Sequence, residues 1–269
     1  MAATLATALN TGVSELYYKT LTDRYQLDNA PLLISAGCAF LIGYLQYVYA
    51  IRLMLRYGDG PIPLWMHMFY LAHDSTFSYT VGSAADRYNN HLYLRGTSIA
   101  YGIFSVLEVW CIYYSIRYQR QLQFSPSMGP RSKSLTEVLV YTFFMQTGMY
   151  GLVILLAHLM GGPGCIMHWG CLTNFLMIVG PTHEFLRRGT KDGLSVGFSV
   201  VNIFCAIFTF APFSMWALAM PEVFDNAIYY WVGFFLLGYT IWLLSVVASY
   251  PASKPNGQIN LGKSAKNAH

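Results

Sequence analysis

The chain has 269 residues, of which 55% are hydrophobic and only 10% charged, against about 25% charged in ordinary soluble domains. That is too apolar for a soluble core of this length, and the 17 Phe, 21 Tyr and 6 Trp add a heavy aromatic load. The formal charge of +4 calls for no nucleic-acid partner, because its distribution follows membrane topology instead.

In chain order, residues 1–30 lack the pattern of a secretory signal peptide, and an imperfectly amphipathic piece around 13–25 is expected to rest at a membrane interface. Seven apolar segments of spanning length follow, at 31–55, 62–82, 93–116, 135–160, 165–185, 194–220 and 227–249. Gly- and Pro-rich or polar links separate them: RYGDGPIP before the second, RYQRQLQFSPSMGPRSKS before the fourth, GGPG before the fifth and PEVFDN before the seventh. The expected fold is therefore an all-α polytopic membrane protein, a seven-transmembrane-helix bundle. Its parts are a lumenal N-terminal segment at 1–30, a seven-helix catalytic domain at 31–249 and a flexible cytosolic tail at 250–269.

The charges fit that division. Twelve of the 16 Lys and Arg fall on one side of the seven segments, and Lys19, Arg24, Arg87 and Arg95 on the other. The basic side is expected to be cytosolic, with the N-terminus lumenal, the C-terminus cytosolic and the endoplasmic reticulum as the membrane. Cys38, Cys111, Cys165, Cys171 and Cys205 show no CxxC spacing and read as small buried hydrophobes.

Acids inside such segments are the first functional candidates, because a carboxyl in hydrocarbon needs a cavity, a partner, water or a ligand. Asp74 lies about 18 Å from the cytosolic end of the second segment and Glu108 about 12 Å from that of the third, by the helical rise. A neutral carboxyl in such a place donates a proton and a charged one stabilises a cation. The structural alternatives are a pairing of Asp74 across helices and a helix-fixing hydrogen bond between Glu108 and a Tyr or Gln. Helical phase puts His67 on the Asp74 face and His73 about 100° around from it. Asp225, at the lumenal entrance to the seventh segment, reads either as a helix N-cap or as an interfacial acid. His158 and His168 bracket the GGPG turn without a zinc pattern. Gln46, Gln146, Asn174 and Asn202 can join helices by hydrogen bonds or line a polar cavity. Trp65, Tyr70, Phe77, Trp110, Tyr113, Trp169 and Trp216 can offer aromatic faces to an apolar substrate, or simply pack or anchor at the interface.

The order of these features resembles the small seven-span terpene cyclases of fungal meroterpenoid and indole-diterpene pathways. The resemblance rests on PIPL at 61–64 followed by His73 and Asp74, on SVLEVWCIYY around Glu108, on NFLMIVGPTHEFLRRGTKDGLSVG at 174–197, and on Asp225 entering the last segment. The chain departs from that family in carrying His73-Asp74 where a tryptophan-glutamate pair is expected. The resemblance implies an enzyme, a non-redox cyclase of isomerase or lyase type, that protonates a terminal epoxide on a prenylated aromatic or related isoprenoid and directs carbocation cyclisation. It implies Asp74, Glu108 and Asp225 as catalytic acids. The substrate-binding candidates are His67, His73, Tyr70, Phe77, Trp110, Tyr113, Gln146, His168 and Asn174.

No DDxxD or DxDD motif supports diphosphate ionisation, and no Rossmann or P-loop fingerprint is present, so no cofactor and no metal are expected. The expected partners are the hydrophobic prenylated substrate, membrane lipid and, by functional association, an upstream epoxidase. A seven-helix transporter for a hydrophobic or amphipathic molecule is the competing reading, since transport sites also lie near the membrane midplane.

Overall fold

A computed structural model describes residues 12–121, 123–124, 133–188 and 193–251. The expected tail falls almost wholly outside the described residues, as do residues 1–11 of the N-terminal segment. Ten helices are described: α1 Gly12–Arg24, α2 Ala30–Tyr57, α3 Leu64–Arg87, α4 Leu92–Tyr118, α5 Leu135–Leu159, α6 Ile166–Arg188, α7 Val196–Phe210, α8 Met215–Ala219, α9 Pro221–Phe224 and α10 Ala227–Ser249. No strand occurs among the described residues.

Among the described residues, five segments are long and apolar enough to cross a membrane: α2, α4, α5, α7 taken together with α8, and α10. The fold is thus all-helical and of multi-pass membrane type. Its outward faces agree. On α5, Leu139, Val140, Phe143, Phe144, Leu152 and Leu155 are exposed, and on α10 so are Ile228, Trp231, Phe234, Phe235, Ile241 and Trp242. Apolar bands of this extent belong in hydrocarbon rather than in water.

The second and fifth expected segments form helices of 24 and 23 residues, but α3 and α6 do not reach the apolar content of the other five. For α3 the reason lies in packing. It makes its most extensive contact with α4 and also touches α5 and α6. More than half of its residues are buried, His67, His73 and Asp74 among them. A helix clothed by others needs few apolar side chains for lipid.

The sixth expected segment is broken. Pro212 disfavours a helical residue before it, and Ala211 is extended (φ −76°, ψ 157°). Ser214 then caps α8 by accepting from the Ala217 N–H. Other boundaries have local causes too. Gly58 ends α2 in the left-handed region (φ 74°), donating its N–H to the Met54 carbonyl. Ser134 and Glu137 start α5 with a reciprocal capping box.

Helix α1 is docked on the bundle and not only laid at an interface. Tyr18 and Leu21 are fully buried, and Tyr25 just after it stacks on Tyr93 with ring centroids 3.5 Å apart. Burial pushes the Tyr25 phenol well above its ordinary pKa, so it remains neutral there. Ser14 Oγ accepts from the Gly164 N–H at 2.7 Å, and Arg87 and Tyr88 both reach Glu15.

Gly164 permits that docking: a Cβ there would stand 2.2 Å from the Ser14 carbonyl oxygen. Gly164→Ala is expected to destabilise the protein by about 1–3 kcal/mol, as overpacking does. This will be seen as a lowered Tm and faster proteolysis within 12–24. Gly148→Ala, whose new methyl meets nothing within 4 Å, is expected to leave both unchanged.

Candidate functional site

A cleft opens between α2, α3, α4, α6 and α8. Its walls include Phe40, Gly43, Gln46 and Tyr47 of α2, Tyr70 and Asp74 of α3, Tyr101 and Phe104 of α4, Thr173, Asn174 and Met177 of α6, and Trp216 of α8. The volume is about 80 Å³ and the cleft is not sealed. Typical small-molecule pockets hold roughly 300–1,000 Å³, so this one encloses the end of a molecule and leaves the rest at its mouth.

Asp74 is the only acid among the lining residues, and no Lys, Arg or His lines the cleft beside it. Its side chain is 6% exposed. Oδ1 pairs with Nδ1 of His73 at 2.7 Å, while Oδ2 has no hydrogen-bond partner among the described residues. Successive residues on a helix ordinarily diverge by about 100°, yet His73 reaches its neighbour because Nδ1 sits close to the main chain. The far side of the imidazole lies among rings, with centroids of Phe77, Trp169 and Tyr101 at 4.8, 5.2 and 5.3 Å, and Nε2 is buried without a hydrogen bond.

Glu108 is fully buried behind the cleft. One carboxylate oxygen accepts from the Tyr47 hydroxyl and the other pairs with Nδ1 of His67. His67 therefore answers Glu108 and not Asp74, whose face it shares. Tyr47 both lines the cleft and holds Glu108, so the two acids border one space, one directly and one through a phenol. Around them, Gln46 donates to Asn202 Oδ1 at 2.9 Å, Asn174 donates to Thr209 Oγ1 at 2.8 Å, and Tyr70 donates to the Thr173 carbonyl at 2.8 Å.

Of the residues singled out in the sequence, Asp74, Tyr70, Asn174, Gln46 and Trp216 line the cleft, and His73, His67 and Glu108 stand directly behind it. Phe77 is buried against His73 without lining the cleft. The others lie elsewhere. Trp110 stacks on Tyr114, Tyr113 is exposed on the outer face of α4, and Gln146 donates to the Met68 carbonyl. His168 sits between Tyr17 and Phe224. Asp225 is exposed and accepts from the Tyr230 hydroxyl, while the N-cap of α10 is its neighbour Asn226, which accepts from the Tyr229 N–H.

Sequence reasoning missed Tyr47, Tyr101, Phe40 and Phe104. The one available signal was that Phe40, Tyr44 and Tyr47 recur at helical spacing beside Gln46.

Ligand atoms of His67, Glu108 and Cys111 lie within 4.8 Å of one another, and all three residues are buried. This is a donor set that zinc accepts. Both Glu108 oxygens and His67 Nδ1 are already engaged, so coordination there would displace those hydrogen bonds. Comparison of the chain with protein-family models, with curated proteins and with solved structures found no match.

The Tyr47–Glu108 contact is buried and joins two helices, so a double-mutant cycle with Tyr47→Phe and Glu108→Gln is expected to show a coupling of about 0.5–3 kcal/mol. Unfolding of the purified protein in mixed micelles measures it. Strictly additive effects would show that the contact contributes nothing of its own.

Proposed function

We propose that the chain is a membrane-bound enzyme that protonates an apolar substrate inside the bilayer, opening a terminal epoxide on a prenyl chain and starting its cyclisation. The observation that carries this reading is Asp74. It is a buried carboxyl on the wall of a largely aromatic cleft, with one oxygen held by His73 and the other without a partner among the described residues. In this reading Asp74 bears the transferable proton on Oδ2, and His73 fixes the carboxyl by binding Oδ1.

Proton transfer to the epoxide oxygen breaks its C–O bond and leaves a hydroxyl and a carbocation. The substrate's own alkene attacks that cation, and the cyclised cation returns a proton to the Asp74 carboxylate, completing an isomerisation of unchanged mass. Phe40, Tyr101, Phe104 and Trp216 offer ring faces to the positive charge. Glu108 acts one layer back, orienting Tyr47 against the cleft. Asp225, exposed at the end of the bundle, has no part in the proton step.

The cleft's volume assigns it the reacting end alone. The remaining prenyl units lie along the open mouth, where lipid supplies an apolar surround. Seven crossings complete the proposal: α3 and α6 span with the five more apolar segments, the N-terminus is lumenal and the C-terminus cytosolic, as the excess of Lys and Arg on one side supports.

Membranes containing the protein, incubated with a panel of farnesyl-aromatic epoxides, are expected to yield a cyclic isomer of unchanged mass. Asp74→Asn should lower turnover by about 10²-fold or more, the usual range for loss of a general acid, at equal membrane abundance. Unchanged substrate across the panel, or full turnover by a folded Asp74→Asn protein, would overturn the proposal.

A further inference from the structure

The same cleft has the chemistry of a cation receptor, whatever reaction it runs. Among its lining residues, one carboxylate oxygen, Asp74 Oδ2, lacks a hydrogen-bond partner, although the side chain is more than nine-tenths buried. Nothing basic shares the wall with it. The rings of Phe40, Tyr47, Tyr101, Phe104 and Trp216 line the same cleft. They are braced by stacking, with Tyr44 lying over Phe104 at 4.4 Å and Phe40 meeting Tyr101 edge-on at 6.3 Å. A carboxyl oxygen in need of a donor, together with several aromatic faces, recognises an alkylated ammonium group. Such a group supplies the missing N–H and presents methyl or methylene surface to the rings.

Size and access narrow the ligand further. About 80 Å³ suits a small headgroup and excludes a long tail, and the cleft is open on one side. Lipophilic amines partition into bilayers in neutral form, so they reach a cleft within the membrane-spanning part of the chain. There the amine nitrogen takes the proton of the Asp74 carboxyl, giving an ammonium–carboxylate pair with no other species consumed or released.

We propose that the cleft binds amphiphilic tertiary amines. The nitrogen donates to Asp74 Oδ2, the N-alkyl groups lie against the aromatic wall and the tail leaves through the open mouth. This concerns the site of the proposed reaction but rests on none of its steps. An amine held in this way occupies the proton-donating oxygen and competes with any substrate of the site.

The test uses the full chain purified in a non-ionic detergent, with binding read from the ligand-induced shift in Tm and from tryptophan fluorescence. The probe is N,N-dimethyldodecylamine, and dodecanol, with the same tail and no basic nitrogen, controls for partitioning. The amine is expected to raise Tm saturably and the alcohol to do so at least about tenfold more weakly, the factor that corresponds to loss of one charge-assisted contact. Asp74→Asn should abolish the difference between the two, while Asp86→Asn, which removes an exposed acid paired with Arg95, should preserve it.

If Asp74→Asn does not fold, Ala39→Phe provides the second arm. Ala39 lines the cleft and takes no part in the His73–Asp74 pair, so a ring there should block the amine while leaving that pair intact. Equal shifts from amine and alcohol, or a shift that survives both substitutions, would overturn the inference. Amine binding without turnover of any epoxide would sink the reaction and leave the receptor standing. Turnover without amine binding would do the reverse.

Discussion

A fully buried carboxyl fixes the geometry of this molecule. Glu108 has no exposure, and in a bundle surrounded by apolar surface an unsatisfied carboxyl costs several kcal/mol. Its partners come from two other helices, the Tyr47 hydroxyl from α2 and the His67 imidazole from α3. Neither contact survives rotation of a helix by one residue, so together they set the phase of α2, α3 and α4 against one another. The cleft follows from that phase. Positions 67, 70 and 74 share one face of α3. Once His67 is turned to Glu108, Tyr70 and Asp74 are turned to the space that Tyr47 borders.

Apolar content falls in α3, a helix covered by its neighbours. Only 11% of the most apolar window of α5 is buried within the protein, against 44% for the α7–α8 segment. The helix that carries the acid has no window apolar enough to count as a spanning candidate at all. Asp74, His73 and His67 are tolerated in α3 because the surrounding helices bury them and each has a partner. A helix interior to a membrane bundle can be nearly as polar as a soluble one, provided each polar group is met. In α3 most are met: Ser75 by Tyr150, Ser78 by the Ser98 carbonyl, Asp74 by His73 and His67 by Glu108.

The same distinction governs what could be read in the sequence. Helix positions and the two buried acids were legible, because spanning length and a carboxyl inside an apolar run are local properties. Pairings were not. The period of α3 relates His67 to Asp74, but it says nothing about how α4 is rotated, and that rotation gives His67 to Glu108. The period also places His73 away from Asp74, yet a short side chain with a nitrogen near the backbone can turn to its neighbour. Tyr47 was hidden among 21 tyrosines, and only the position of Glu108 distinguishes it. Asp225 looked like an acid entering a helix. Its neighbour Asn226 took the capping role, and the carboxylate was left exposed with Tyr230.

The small volume of the cleft bears on what kind of selectivity it can have. A sealed chamber of several hundred Å³ can shape a whole substrate, whereas a recess of about 80 Å³ can test only the group inserted into it. What it tests is defined by its walls: one carboxyl oxygen, one phenol backed by a second acid, and ring faces that favour positive charge over negative. An oxygen or nitrogen that accepts a proton and becomes cationic gains at both contacts, and an anionic end group loses at both. The sharpest discrimination is therefore expected in the charge that the end group acquires on meeting Asp74, and the weakest in the length of the tail, which meets lipid as readily as protein. That ordering is set by the Asp74–His73 pair and the rings of the cleft, so it holds for any end group that enters the cleft.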